Sequence, residues 1–374
     1  MRRRSLDRAA LLTTTVLGIL WAVPVAAPAT AAPCTLDRAR ATSIDAKPFI
    51  GNGYGARWNA PSDRVAYMQP RTDGYYRIYT MSAAGGDPSD PTAHQPNIPR
   101  KHLGSPYWHP SGRYLVFTAQ KEQWHGAKLF GSPDYEALPG FGRHDDLWLM
   151  EADGSHGWQL THDPNTKDEG ILIPVFSPDG TRLAWSARQP GGTYALTLAD
   201  LVLAPEPHLE NLRAFRPGGA AYYETGSFTS DGASLTYSSD QDSHSFWRSQ
   251  IYRLDLASGQ AIRLTQGGDY NEHPTVINTP TGNWIVYMST RGVQRYSWSL
   301  FLGTDWYAMR IDGTGAKRLT SMNLNRNDNP QNRGALQVAG TVTIAPSGDF
   351  MLGNVQDNLL RQTGMVKIIR FVCD

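Results

Sequence analysis

His273 and His244 are side chains that take or give a proton near neutral pH. Arg248 and Arg295 can hold a carboxylate through two parallel hydrogen bonds, and the Tyr296 hydroxyl can return a proton to a leaving oxygen. Together these are the requirements of β-elimination beside a uronate: a base for the proton on the acidic carbon, a positive group or metal on the carboxylate, and an acid for the leaving oxygen. A second set is suited to holding a ligand without converting it. Trp124, Trp247 and Trp298 offer flat faces to sugar rings, with His125 and Glu272 as hydrogen-bonding groups beside them. For any one of these residues the competing role is to pack a loop or cap a strand end. No His-x-His, His-Glu-x-x-His or cysteine pair at ligand spacing occurs, so no cofactor is evident and a divalent metal has no local motif to hold it. A metal would need a cluster assembled across the fold, and His102, His144, His244 and His273, from four separate connections, are the histidines that such convergence would use.

What must position these residues is a repeated pair of strands. Pro174 to Trp185 (PVFSPDGTRLAW) reads as strand, tight turn, strand, and near copies run from Pro106, Gly226, Pro274 and Val342, with a weaker one from Ala56. Each turn holds a cluster of Ser, Asn, Pro or Asp, usually closed by Gly, the residues that tolerate the backbone angles of a tight reversal. A second phrase follows each copy, for example IYRLDLASG from Ile251 and WYAMRIDG from Trp306, and several run on into WQLT, IRLT or KRLT. Four antiparallel strands per unit, repeated, define a β-propeller, whose blades bury their faces against one another. The expected fold is therefore all-β: a single propeller of six blades of four antiparallel strands, closed by strands from the N- and C-terminal ends. The stretch from Cys34 to Gly55 is too short for a seventh blade and is expected to give one strand to the last. An open two-sheet sandwich would not explain why the same turn recurs at the same place.

These phrases resemble the TolB-type propeller repeat, which also occurs in the propeller domains of prolyl oligopeptidase-like peptidases, over most of residues 57–371. The resemblance implies the fold. It does not select an activity, because such propellers serve as periplasmic scaffolds, peptidase gates and sugar-acid lyases. A peptidase of that type needs a further catalytic domain with a Gly-x-Ser-x-Gly elbow, and the sequence has neither.

With Trp58, Trp108, Phe176, Phe228, Val276 and Ile344 as equivalent anchors, two units are longer than the rest. The extra length falls between second and third strands at residues 120–146 and 289–305, and between blades at residues 321–341. In an up-and-down blade those connections open on one face, while the Asp-Gly turns lie on the other. Long loops are where pockets are usually built; Trp124, His125, Arg295, Tyr296 and Trp298 sit on them, while His244, Trp247 and Arg248 sit on the shorter fourth-blade loop and Glu272 and His273 on a blade-to-blade connection.

Gly and Pro contribute 36 and 25 of the 374 residues, an excess that asks for many turns, and a 40% hydrophobic content excludes disorder for most of the chain. Residues 1–31 read as a cleaved export signal: Arg2, Arg3, Arg4 and Arg8, then an apolar run from Ala9 to Val25, then Ala29-Thr30-Ala31. Pro24 and Pro28 interrupt the run before it could span a membrane, and the export route stays open between the general and twin-arginine systems. The mature segment, residues 32–374, is expected to be the propeller, a secreted or cell-envelope protein. It has 31 basic against 33 acidic side chains and no basic run, which argues against nucleic acid as a partner. The expected partners are an extracellular glycan or another exported protein, bound by a monomer. Binding is the favoured reading, with a lyase on uronate-containing glycans as the alternative. The two cysteines, Cys34 and Cys373, lie where the ends of a closed ring meet, and in an oxidising compartment they are expected to form a disulfide.

Overall fold

The computed structural model describes residues 34–164, 166, 169–293, 303–323, 336–358 and 363–373. The sequence-expected signal segment and the candidate residues Arg295, Tyr296 and Trp298 lie outside these. Six antiparallel sheets follow one another along the chain. Their first strands, Tyr54–Asn59, Leu103–Trp108, Ile171–Phe176, Tyr223–Phe228, Asn271–Thr279 and Val338–Ile344, touch in sequential order, and the sixth returns to the first. They are the inner strands of a closed six-bladed propeller. Helix is limited among the described residues to three 3-10 turns of three residues each.

The six anchors read from the sequence are structurally equivalent. Trp58, Trp108, Phe176, Phe228, Val276 and Ile344 pair across the first hairpin with Val65, Leu115, Leu183, Leu235, Ile285 and Met351, and each of these partners is at most 1% exposed. One apolar pair per blade therefore seeds the inter-blade core at the same depth. The blades are not all equal: the first has three strands, and a lone bridge between Thr80 and Ser89 stands where its fourth would pair. Pro88 and Pro91 flank that bridge, and proline cannot donate to a ladder, so the outer strand does not extend.

Closure uses both ends. Ala41–Ile44 pairs antiparallel with the final strand, Thr363–Val372, and completes the last blade from outside. Leu36 and Ala39 are buried in the core with Trp306, Met351 and Phe371. The Lys317 ammonium donates to the carbonyls of Leu36 and Ala39, both at 2.8 Å, and sits over the Trp284 ring. Cys34 and Cys373 are disulfide-bonded with their Cα atoms 5.5 Å apart.

The first-hairpin turns lock by side-chain bonds. At Ser177–Thr181 the Asp179 carboxylate accepts from Ser177 Oγ at 2.5 Å and from Thr181 N at 3.0 Å, and these bonds hold its pKa down to about 2. Gly180 follows at φ 76°, and a Cβ there would lie 2.2 Å from His109 Nε2 of the preceding blade. Both the left-handed backbone and the contact exclude a side chain. Gly180→Ala is expected to lower stability by about 1–3 kcal/mol, read as a lower thermal midpoint, with ligand binding on the opposite face unchanged.

Candidate functional site

Every inner strand slips its register once, at nearly the same depth. The slips fall between Tyr54 and Arg57, Gly104 and Tyr107, Leu172 and Val175, Thr225 and Phe228, Glu272 and Thr275, and Ala339 and Val342. In four of them the residue entering the slip has a positive φ: Gly55, Ser105, Ile173 and His273. A regular strand sends consecutive side chains to opposite faces, whereas a bulge re-aims one of them. That is how Glu272 and His273, adjacent in sequence, both come to line one cavity on the axis.

This cavity, about 260 Å³, opens on the long-loop face. Its floor comes from adjacent blades four and five, where the same short motif recurs one blade apart: Tyr222-Tyr223-Glu224 and Tyr270-Asn271-Glu272. Tyr222 donates to Glu224 Oε2 at 2.7 Å and reaches Glu272 Oε1 at 3.3 Å, and Tyr270 donates to Glu272 Oε2. The His273 ring lies between the carboxyls, Nδ1 3.2 Å from Glu224 Oε1 and Nε2 3.7 Å from Glu272 Oε2. The Nδ1 contact is out of line for a hydrogen bond and leaves that buried atom without one. Glu224 and Glu272 are 3% and 5% exposed, so their charge states are set by each other and by His273.

Burial raises the Glu224 pKa, but the His273 charge and hydrogen bonds outweigh it and the net shift is downward. Glu272 is pushed well above the usual carboxylate range by burial and by the Glu224 charge. Burial lowers His273, yet the two carboxyls overcome that and raise it to about 9. The cluster thus favours charge on Glu224 and on the His273 imidazolium and retention of the proton on Glu272. Oxygen and nitrogen atoms of Glu224, Glu272 and His273 all lie within 4.8 Å of one another, a donor set and spread that suit a divalent cation.

The mouth is aromatic. Phe246 stands edge-on to Tyr222 at 5.0 Å and 5.4 Å from Tyr270, while Trp247 lies 5.7 Å from Tyr270 and remains 56% exposed. Arg57 enters the cavity from blade one, its guanidinium 5.4 Å over the Tyr107 ring.

Of the residues singled out in the sequence, the structure brings His273, Glu272 and Trp247 to this cavity. Among the described residues it does not bring the others, and Arg295, Tyr296 and Trp298 lie outside them. His244 and Arg248 are exposed on the blade-four loop, outside the cavity lining. Trp124 stacks on His144 at 3.9 Å, and His125 Nδ1 is 2.9 Å from Lys101 Nζ, itself 2.8 Å from Asp134. These contacts fasten the first long loop. The four histidines do not converge: the His102 ring lies 2.8 Å from the Pro133 carbonyl and accepts from the Tyr76 amide, and burial depresses its pKa to about 4. Sequence reading missed Tyr222, Tyr270 and Arg57. The first two carried a legible signal, a Tyr-x-Glu motif at one position of two successive repeats; Arg57 lies in the weakest repeat and had none.

A closed six-bladed propeller with an acidic, histidine-bearing pocket on its axis is the class that fold and site define. The fold is that of the TolB-type propellers. No family model matches the chain. TolB from Acinetobacter baumannii superposes with a TM-score of 0.51 at 18% identity, covering 83% of this chain and 64% of that one. Oligogalacturonate lyase from Vibrio parahaemolyticus gives 0.50 at 11% identity over 85% of this chain and 78% of that one. An uncharacterised protein of Agrobacterium fabrum is 26% identical over 217 residues, 58% of this chain and 57% of that protein. The chain thus spans less than two thirds of the Agrobacterium and Acinetobacter proteins, and these likenesses describe the fold.

Proposed function

We propose that the protein is an exported propeller that binds a glycan in the axial cavity of its long-loop face. The observation that carries this is the joining of a polar floor, made by Glu224, Glu272, His273 and two tyrosine hydroxyls, to an aromatic mouth at Phe246 and Trp247. Sugars present hydroxyls at their edges and apolar faces above, and the cavity offers partners for both. The signal-like first residues and the disulfide support export. A segment of another exported protein is the other ligand to be compared.

A lyase acting on uronates is the second reading, favoured by His273, Tyr222, Tyr270 and Arg57 lining one cavity. The protonation of the cluster weighs against it. His273, held charged by its neighbours, is a proton donor or a positive partner and not a base, and Glu224, the carboxylate left to take a proton, is a weakened base.

The test is calorimetric titration of neutral and acidic oligosaccharides into the protein, with and without chelator, while ultraviolet absorbance monitors unsaturated product. Binding without product supports the proposal, product supports the lyase, and absence of both across the panel sinks the two together. Trp247→Ala is expected to weaken binding about tenfold. It should leave the melting temperature nearly unchanged, because the ring is largely exposed. Loss of affinity in chelator would assign a cation to Glu224, Glu272 and His273.

A further inference from the structure

The axis carries a second cavity, of about 390 Å³, on the short-turn face. Its chemistry is the inverse of the first. Among the described residues, Arg57 and His273 are the only cationic side chains in its lining, and no Asp or Glu contributes to it. The lining holds the hydroxyl residues Thr225, Ser227, Thr341 and Thr343 and the anchors Trp58 and Trp108. Arg57 and His273 line both cavities, so they stand at the waist between them.

Arg57 has donors to spare. Its guanidinium makes one recorded hydrogen bond, from Nη1 to the carbonyl of Ala56 at 3.1 Å, and lies over the Tyr107 ring. Among the described residues no carboxylate pairs with it within ion-pair distance. None of its nitrogens is among the buried polar atoms left without a partner, so the unspent N–H groups reach the axial space that Arg57 lines and not packed protein. Burial lowers its pKa, the mark of a cation placed where water does not fully replace a counter-ion. A guanidinium resting against an aromatic ring, with its fork unpaired by any carboxylate, can take a carboxylate through two parallel bonds.

We propose that the short-turn cavity is a second ligand site, specific for a carboxylate anchored on Arg57. The site is entered from the face opposite the long loops, and it does not depend on the glycan reading of the first cavity. The carboxylate is that of a small organic acid or of the C-terminus of an extended peptide, sources that share this chemistry and that the experiment separates.

The probes are acetate, malonate, citrate, and one short peptide with its C-terminus free or amidated, each added at matched ionic strength against chloride. Melting temperature, calorimetry and tryptophan fluorescence are the readouts, since Trp58 and Trp108 border the cavity. A carboxylate probe should raise the melting temperature and alter the fluorescence, and Arg57→Gln should abolish both responses. Ser230→Glu adds a negative charge at an exposed lining position whose hydroxyl accepts one bond, from Asn283 Nδ2 at 2.7 Å, and should weaken binding severalfold. Binding of the free but not the amidated peptide, with the small acids inert, identifies a chain end; response to the small acids identifies a free acid. The proposal is overturned if no probe binds at ~10 mM, or if both variants bind as the parent does. Trp247→Ala should leave this site untouched, which separates its failure from failure of the glycan site.

Discussion

Cys373→Ser, made in the otherwise intact protein, is expected to lose about 2–5 kcal/mol and to melt roughly 3–7 °C lower. The bond closes a loop of 339 residues, and constraining so long a loop in the unfolded chain is the largest single cross-linking effect available to this fold. It acts where the ring has its one seam. On the N-terminal side, the strand Ala41–Ile44, the buried Leu36 and the Lys317 contacts to the Leu36 and Ala39 carbonyls would remain. The variant should therefore fold, with the seam opening first on heating. Hydrogen exchange in residues 41–44 and 363–372 should rise before that of the blade-three core. A melting temperature unchanged from the parent would show that strand pairing and Lys317 close the ring alone.

His273→Ala should cost a comparable amount, about 3–5 kcal/mol, because it leaves the buried Glu224 carboxylate without its cation. Adding Glu224→Gln should recover part of the loss, a result that simple removal of packing would not give. The pH dependence has a definite sign. His273 is raised in the folded protein, so its contribution is complete below its ordinary value of 6.5 and disappears as pH rises through about 9. Glu224 is lowered, so its contribution is present above 4.5 and is lost as pH falls below it. Glu272 is raised, so holding its proton favours the folded state in acid and becomes a growing cost as pH climbs past 4.5. Stability should accordingly fall off in alkali, and Glu272→Gln, which cannot ionise, should flatten that loss. Melting curves from pH 4 to 10 of the parent, His273→Ala and Glu272→Gln would read all three signs. Parallel curves for the parent and His273→Ala would show that the cluster is not coupled as the geometry implies.

The architecture was legible because its signals are local and repeated. A turn such as Ser177-Pro178-Asp179-Gly180 needs only its own residues to form, and six hairpins of this kind along the chain imply a ring. The closing strand and the Cys34–Cys373 pair followed from the topology of a ring. The site was less legible, and for a physical reason. Tyr222, Glu224, Tyr270, Glu272 and His273 meet only because two inner strands slip register beside each other, and alternation of apolar and polar residues does not announce a slip. Histidines on long loops attracted attention that belonged to the strand starts. His102 and His144 proved to be packed or hydrogen-bonded within the protein, as the bland role of a loop histidine would have it.

The recurring slip also separates chemistry from architecture. All six inner strands present a residue to the axis from the same backbone deviation, and in this chain those stations hold Gly55, Ser105, Ile173, His273 and their counterparts in blades four and six. The hydrogen-bond ladder around each station is carried by main-chain atoms, which are indifferent to the side chain they carry. Such a ring works as a turret of six sockets: lineages built on it can exchange one ligand set for another by substitutions at a few axial stations, while the hairpin anchors that hold the blades together remain untouched. Glu224 and Glu272, which stand just before two of these stations, give this pocket its carboxyl floor, and a propeller of the same build could be basic, apolar or metal-binding without one strand being moved.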